Sequence, residues 1–171
     1  AILDVANVAR SDFANARMAG VHMSKTRGTG ANFQRAVLSA ANLTQSVFVD
    51  ANFAEANLGG RGQGHPGPNG AILRGTDFSD ANLSKTNLVN AKLNQAILKN
   101  TDLRGAKMGF ADLSWSRADG ANFADADMGW VRAYAAGMKR AGFRGTKVPL
   151  AQFSGADLSS ADFSKAQFQR T

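Results

Sequence analysis

Cysteine is absent from the 171 residues, so thiolate nucleophiles, disulfide staples and Cys-held zinc or iron–sulfur sites are excluded together, and the chain suits any redox compartment. No apolar run approaches the roughly 20 residues that a membrane-spanning helix needs, and no basic-then-apolar leader opens the chain, so it reads as a soluble protein. Histidine is scarce: His22 and His65 stand alone, and neither has sequence neighbours that would complete a metal ligand set or a triad. Large apolar residues are diluted by alanine and by 18 glycines, which excludes a core of bulky layers and calls for small packed units. The length suits one domain, 1–171.

What the chain does have is a period of five. Every fifth residue from Leu3 to Phe168 gives a column of 34 positions holding 12 Leu, 10 Phe, 5 Met and 2 Val. Two residues before each of these centres stands a second column with 22 Ala and 8 Ser or Thr, and between the two lies a third in which 15 residues are Asn or Asp. Ala41-Asn42-Leu43, Ala51-Asn52-Phe53, Ala81-Asn82-Leu83, Ala111-Asp112-Leu113, Ala121-Asn122-Phe123, Ala156-Asp157-Leu158 and Ala161-Asp162-Phe163 show the consensus, Ala-(Asn/Asp)-(Leu/Phe)-x-x.

Five matches neither the helical period of 3.6 nor the strand period of 2, so on either regular element the centres would swing between core and solvent. The backbone must turn once per pentad. Quarter turns close a square coil of four pentads, with each centre pointing inward and the alanine before it filling a corner, and coils then stack about 4.8 Å apart as neighbouring strands do. In this motif and its unbroken register the sequence resembles the pentapeptide repeat family over practically its whole length. That resemblance implies an all-β fold, a right-handed quadrilateral β-helix of about eight coils. Residues 20 apart should then lie one above another. The columns Lys92-Asp112-Arg132, Lys99-Asp119-Lys139 and Lys107-Asp127-Lys147 each place an acid between two bases, and no like charges sit 20 apart.

Two stretches break the pattern. Residues 59–70, from Gly59 to Gly70, span two pentads without a core residue and read as a Gly/Pro-rich loop projecting from a corner. Gly62-x-Gly64-x-x-Gly67 within it has the letters of a dinucleotide fingerprint but lacks the strand–turn–helix setting that gives those letters meaning. Gly28 empties one core position and reads as a local bulge, or as a corner where backbone approaches backbone.

A narrow coil filled by Leu and Phe leaves no cavity for a substrate, so the chain reads as non-enzymatic, with no catalytic residue, cofactor or metal. Inward Thr76, Thr86, Thr101 and Ser116 replace corner alanines and can bond to backbone, and Asp125 and Asp127, which flank inward Ala126, read as solvated carboxylates.

The informative residues are outward positions that are not polar. Phe110, Trp130 and Leu150 fall in one column of a 20-residue coil, with Trp115 and Tyr134 on neighbouring pentads. The coil from Val131 to Leu150 adds Arg132, Lys139, Arg140, Arg144 and Lys147 without one acid. An aromatic and basic surface of Phe110, Trp115, Trp130, Tyr134, Arg140, Arg144, Lys147 and Leu150 is the expected partner-binding site. The competing reading is that the rings cover a weak coil in which Ala133 underfills the core.

The formal charge of +7, with +5 after residue 70 from 14 bases and 9 acids, suits a protein partner with an acidic surface. The bases are spaced and interleaved with acids, and the fold offers no groove-reading element, which argues against nucleic acid. The resemblance also implies an alternative, a topoisomerase modulator that uses the 59–70 loop. Family members in that role are similar to B-DNA in shape and charge, and +7 has the wrong sign for a polyanion mimic. Two further expectations concern context. The coils of Phe153, Phe163 and Phe168 suit an end-to-end homodimer, and a chain opening on Ala1 suits an exported compartment, thylakoid lumen or periplasm, and with it the role of an accessory subunit on a membrane complex. A structural rod with no specific ligand is the remaining reading.

Overall fold

The structure, a computed structural model, describes residues 1–60 and 69–169. No helix occurs among them; each pentad contributes one extended position and one turn. Parallel bridges join each polar-column residue to its counterpart 20 residues on, as in Lys92 to Asp112 and Asp112 to Arg132. Four pentads therefore make one coil, and the fold is a right-handed quadrilateral β-helix. We number the sides by their centres. Side 1 holds Leu3, Met23, Leu43, Leu73, Leu93, Leu113, Ala133 and Phe153; sides 2, 3 and 4 follow at successive pentads, beginning from Val8, Phe13 and Met18. Eight coils result, one for each centre of side 1.

Backbone hydrogen bonding explains each column. In the pentad Ala121–Asp125, the Ala121 N–H closes the preceding turn onto the Ala118 carbonyl at 3.1 Å. The Asn122 N–H donates down the rod to Thr101, and the Phe123 and Asp125 N–H groups donate up it to Gly142 and Arg144. One donor is left, the first turn residue Ala124, and it donates to the Asn122 side-chain oxygen at 3.0 Å. All fifteen Asn and Asp of the polar column accept the same bond from the N–H two residues on. The column is polar because its side chain satisfies the one amide that the ladders leave over. Pro149 solves the same problem differently: it follows Lys147 rather than Asn or Asp, and it has no N–H to satisfy.

The turns impose a second demand. With a bond from the corner residue's N–H to the preceding centre's carbonyl, each is a four-residue β-turn whose third residue has positive φ. That residue is left-handed in every described pentad from Val5 to Lys165 except at the corner of residue 60, and of these positions 23 carry a side chain and seven are glycine. A non-glycine residue there costs about 1–2 kcal/mol.

Inside, the centres are buried and stack in register. Side 3 carries two phenylalanine ladders, Phe13–Phe33–Phe53 and Phe123–Phe143–Phe163, with ring centroids 4.5–4.9 Å apart. Corner threonines and serines donate to the centre carbonyl one coil below, as Thr101 does to Phe78 and Thr146 to Phe123, both at 2.8 Å. Ser116 is the exception, with a buried hydroxyl that has no partner among the described residues.

Gly28 corrects the expectation of a bulge. The ladder runs through it regularly, from the Gly28 N–H to the Val47 carbonyl at 2.7 Å. A Cβ at Gly28 would fall on the Phe48 ring, so the core position is empty because a phenylalanine of the next coil already fills it.

The 59–70 expectation concerns residues of which 61–68 lie outside the described ones. Their flanks locate the insertion. The four bridges that cross it join residues 30 apart, as Asn42 to Ile72 and Asn57 to Asn87, and the Ala71 N–H donates to Leu58 at 2.7 Å as in any other turn. The insertion is therefore ten residues spliced into the corner between sides 4 and 1. A Cβ at Gly70 would meet the Asn90–Ala91 backbone, and one at Gly59 the Asn87 side chain. The changed offset also alters the charge columns: across the insertion, Asp50 and Asp80 stack as like charges, a pairing that a 20-residue rule does not reveal.

Candidate functional site

Side 1 is bounded by two corners, and the exposed rings stand at both. At the corner entering it, Phe110, Trp130 and Leu150 are successive left-handed turn residues, joined by ladder bonds from the Phe110 N–H to Gly129 and from the Trp130 N–H to Pro149, both 2.9 Å. Phe110 and Trp130 stack with centroids 5.1 Å apart and planes 12° from parallel. At the corner leaving side 1, Trp115 and Tyr134 meet edge to face at 5.4 Å. Trp130 and Tyr134 are four residues apart on one coil, so the two rows are separated by at most about 13 Å at the backbone.

Between the rows lies a polar floor, Asp112 and Arg132, paired at 3.5 Å. Beneath it, Met108, Leu113, Met128 and Ala133 are fully buried. The rings themselves are not: Trp115 is 55% exposed, Trp130 50% and Tyr134 53%. Bulky side chains are poor occupants of a left-handed position, where glycine or asparagine relaxes the backbone. A groove of about 580 Å³ opens above Trp130, lined by Pro149, Leu150 and Gln169.

The eight residues expected to form one surface fall into two groups. Phe110, Trp115, Trp130, Tyr134 and Leu150 border side 1, and Lys147 lies beside them on side 4, lining a smaller groove with Pro149, Gln167 and Gln169. Arg140 and Arg144 do not join them. They stand at the two corners of side 3, across the rod, because each further pentad turns the chain by one side. Asp112 and Arg132, on the floor, were not in the expected set; their position 20 residues apart in the polar column, between the ring-bearing corners, was the available signal.

Other sequence candidates are placed as follows. His22 lies outward on side 1, four coils below Asp112, with its carbonyl accepting from Leu3 at 2.6 Å. Asp127 accepts the Gly129 N–H, and Asp125 is a left-handed turn residue. Phe153 and Phe163 are partly buried in the last coil, and Phe168 is half-exposed there. Among the described residues, no group of three or more His, Asp or Glu could hold a metal, and no helix is long and apolar enough to cross a membrane.

A family model described as pentapeptide repeats matches in eight copies, over residues 6–45, 31–60, 69–100, 96–132 and 138–171. No curated protein matches the chain. Among solved structures, HetL, a pentapeptide repeat protein involved in heterocyst differentiation regulation from the cyanobacterium Nostoc sp. strain PCC 7120, is 24% identical over 97% of this chain and 82% of its own, with a TM-score of 0.30. QnrB1, a plasmid-mediated fluoroquinolone resistance protein, is 18% identical over 94% of this chain and 81% of its own, with a TM-score of 0.41. A pentapeptide repeat protein from the Arabidopsis thaliana thylakoid lumen is 26% identical over 66% of this chain and 61% of its own, with a TM-score of 0.30.

Proposed function

The chain belongs to the pentapeptide repeat family, and from that premise we propose that it is a non-catalytic protein-interaction rod that docks a larger partner on side 1. The observation that carries this reading is the placement of half-exposed rings on both corners of one side, with Trp115 and Trp130 at left-handed backbone positions that disfavour bulky residues. The centres of those coils, Ala133 included, are fully buried. Tryptophan and tyrosine bury large area at small entropic cost and are common anchors of interfaces. The partner that fits has an apolar ridge for each row of rings and polar groups for Asp112 and Arg132, with Lys147 favouring acidic residues at the rim.

The alternative is a topoisomerase modulator that makes its contact through the insertion. The flanks of that segment share a corner with Phe110, Trp130 and Leu150, but the net charge of +7 counts against imitation of a polyanion. The end-to-end homodimer is a separate proposal, supported only by half-exposed Phe168 in the last coil.

Site-resolved photo-crosslinking tests the side 1 reading. A photoreactive phenylalanine analogue at Trp115 or Tyr134, illuminated in native extract, should yield a defined protein adduct, and the same probe at exposed Val47 on side 2 should not. Equal labelling from both sides, or none from side 1, would defeat the proposal. An adduct that disappears when residues 61–70 are deleted would favour the alternative.

A further inference from the structure

Side 3 carries a different feature, and its reading does not rest on that of side 1. Arg140 and Arg144 flank Gly142, which occupies the polar column between Asn122 one coil below and Asp162 one coil above. In the flanking coils the column side chain accepts the first turn residue's N–H: Asn122 from Ala124 at 3.0 Å and Asp162 from Ser164 at 2.8 Å. Gly142 has no side chain to offer, and the Arg144 N–H has no acceptor among the described residues. Sterics do not require glycine here. A Cβ at Gly142 would meet Asn122 Oδ1 at 3.5 Å, an ordinary contact.

Gly137 supplies the internal comparison. It is the other described glycine in this column, and there the amide is satisfied from a neighbouring coil: Asp119 Oδ1 accepts the Lys139 N–H at 3.0 Å. In other pentads that lack Asn or Asp, the column holds a bulky side chain such as Ile72, Lys92, Arg117 or Gln152. Among the described residues, only at Gly142 is the column bare and the amide open. The notch so formed, about 420 Å³, is lined by Gly120, Asn122, Ala124, Arg140, Arg144 and Asp162, among others. Neither arginine has an ion-pair partner among the described residues. Asp162 is the one acid present, and one of its oxygens is already engaged by Ser164, so two guanidiniums face a single carboxylate.

We propose that the notch over Gly142 binds a carboxylate of an acidic peptide segment, one oxygen accepting the Arg144 N–H as the missing Asn or Asp side chain would, and the other pairing with the guanidinium of Arg140 or Arg144. The ligand group supplies the acceptor that the column Asn or Asp supplies in the coils directly below and above. A planar carboxylate matches both the arginine fork and the role that Asp162 and Asp119 play in the neighbouring pentads.

The test is an NMR titration of the full chain with an acetylated, amidated triglutamate peptide, following the Arg144 backbone amide and the arginine Nε resonances. A saturable downfield shift of the Arg144 amide is expected, with no such shift from the triglutamine peptide. Gly142→Asp should place its own carboxylate in the notch, bring the free protein's Arg144 amide toward the bound position and weaken the peptide at least tenfold. Arg140→Gln/Arg144→Gln, which leaves the backbone untouched, should weaken it similarly. No saturable shift at Arg144, an undiminished affinity in either variant, or equal saturation of the same amide by triglutamine would overturn the proposal. Equal saturation by sulfate would overturn its assignment to a carboxylate.

Discussion

Each position of the pentad answers a separate backbone demand, and single substitutions should expose them one at a time. Asn82 accepts the Ser84 N–H at 3.0 Å, and Asn82→Ala leaves that amide without its protein acceptor, so a loss of about 1 kcal/mol is expected in urea unfolding. Gly28→Ala should cost about 1–3 kcal/mol, because the added methyl meets the Phe48 ring, and Phe48→Leu in the same chain should recover part of the loss by withdrawing that ring. Equal costs for Gly28→Ala with and without Phe48→Leu would show that the ring is not what the methyl meets. The inward column was legible from apolar periodicity alone. The left-handed turn residues were not, since residues as different as Asn100, Lys85 and Trp130 occupy that position, and the reason lies in the turn rather than in the side chain. The polar column was visible, but its purpose, accepting one orphan amide per pentad, required the bond geometry.

At the scale of the coil, the core is built of stacked centres that also meet across sides, as Phe33 and Phe48 do edge to face. Leu93 is fully buried, its N–H bonded to Asp112 above at 2.8 Å. Leu93→Lys places an unpaired charge among the centres and should cost more than about 4 kcal/mol, seen as loss of the cooperative transition in thermal unfolding. A normal transition in that variant would contradict the inward register. Four pentads per coil followed from the closing of a square, and ladder offsets of 20 residues bear it out. The division of the basic coil between opposite sides did not follow from its composition. Arg140 and Arg144 are close to Trp130 in sequence, yet beyond the insertion equivalent positions on a side recur only every 20 residues. That rule places them on side 3 and leaves Arg132 beneath the rings.

For the whole molecule, charge sets the response to acid. The Ser24 hydroxyl holds the Asp4 carboxyl below its ordinary pKa, the Arg35 side chain does so for Glu55, Arg104 for Asp102, Ser159 for Asp157 and the Ser164 N–H for Asp162. A carboxylate with a depressed folded-state pKa contributes stability above its unfolded value, near 4, and that contribution is lost as pH falls through the folded value. Protonation of the 13 acids also raises a net charge that already stands at +7, which adds self-repulsion. The urea midpoint should therefore be flat from pH 7 to about 5 and fall below about pH 4; a midpoint that rises on acidification would reverse the sign of these interactions. The central claim, that this rod works through the rings of side 1, is tested most directly by affinity retention from native extract. Wild type, Trp115→Ser/Trp130→Ser and Arg140→Gln/Arg144→Gln would be immobilised at matched density, with the folding of each verified by urea unfolding. The account predicts a protein retained by the wild type in 0.5 M salt and lost by the folded tryptophan variant, since an aromatic anchor contributes about 2 kcal/mol or more and is little screened. The same proteins retained by wild type and tryptophan variant alike would contradict it.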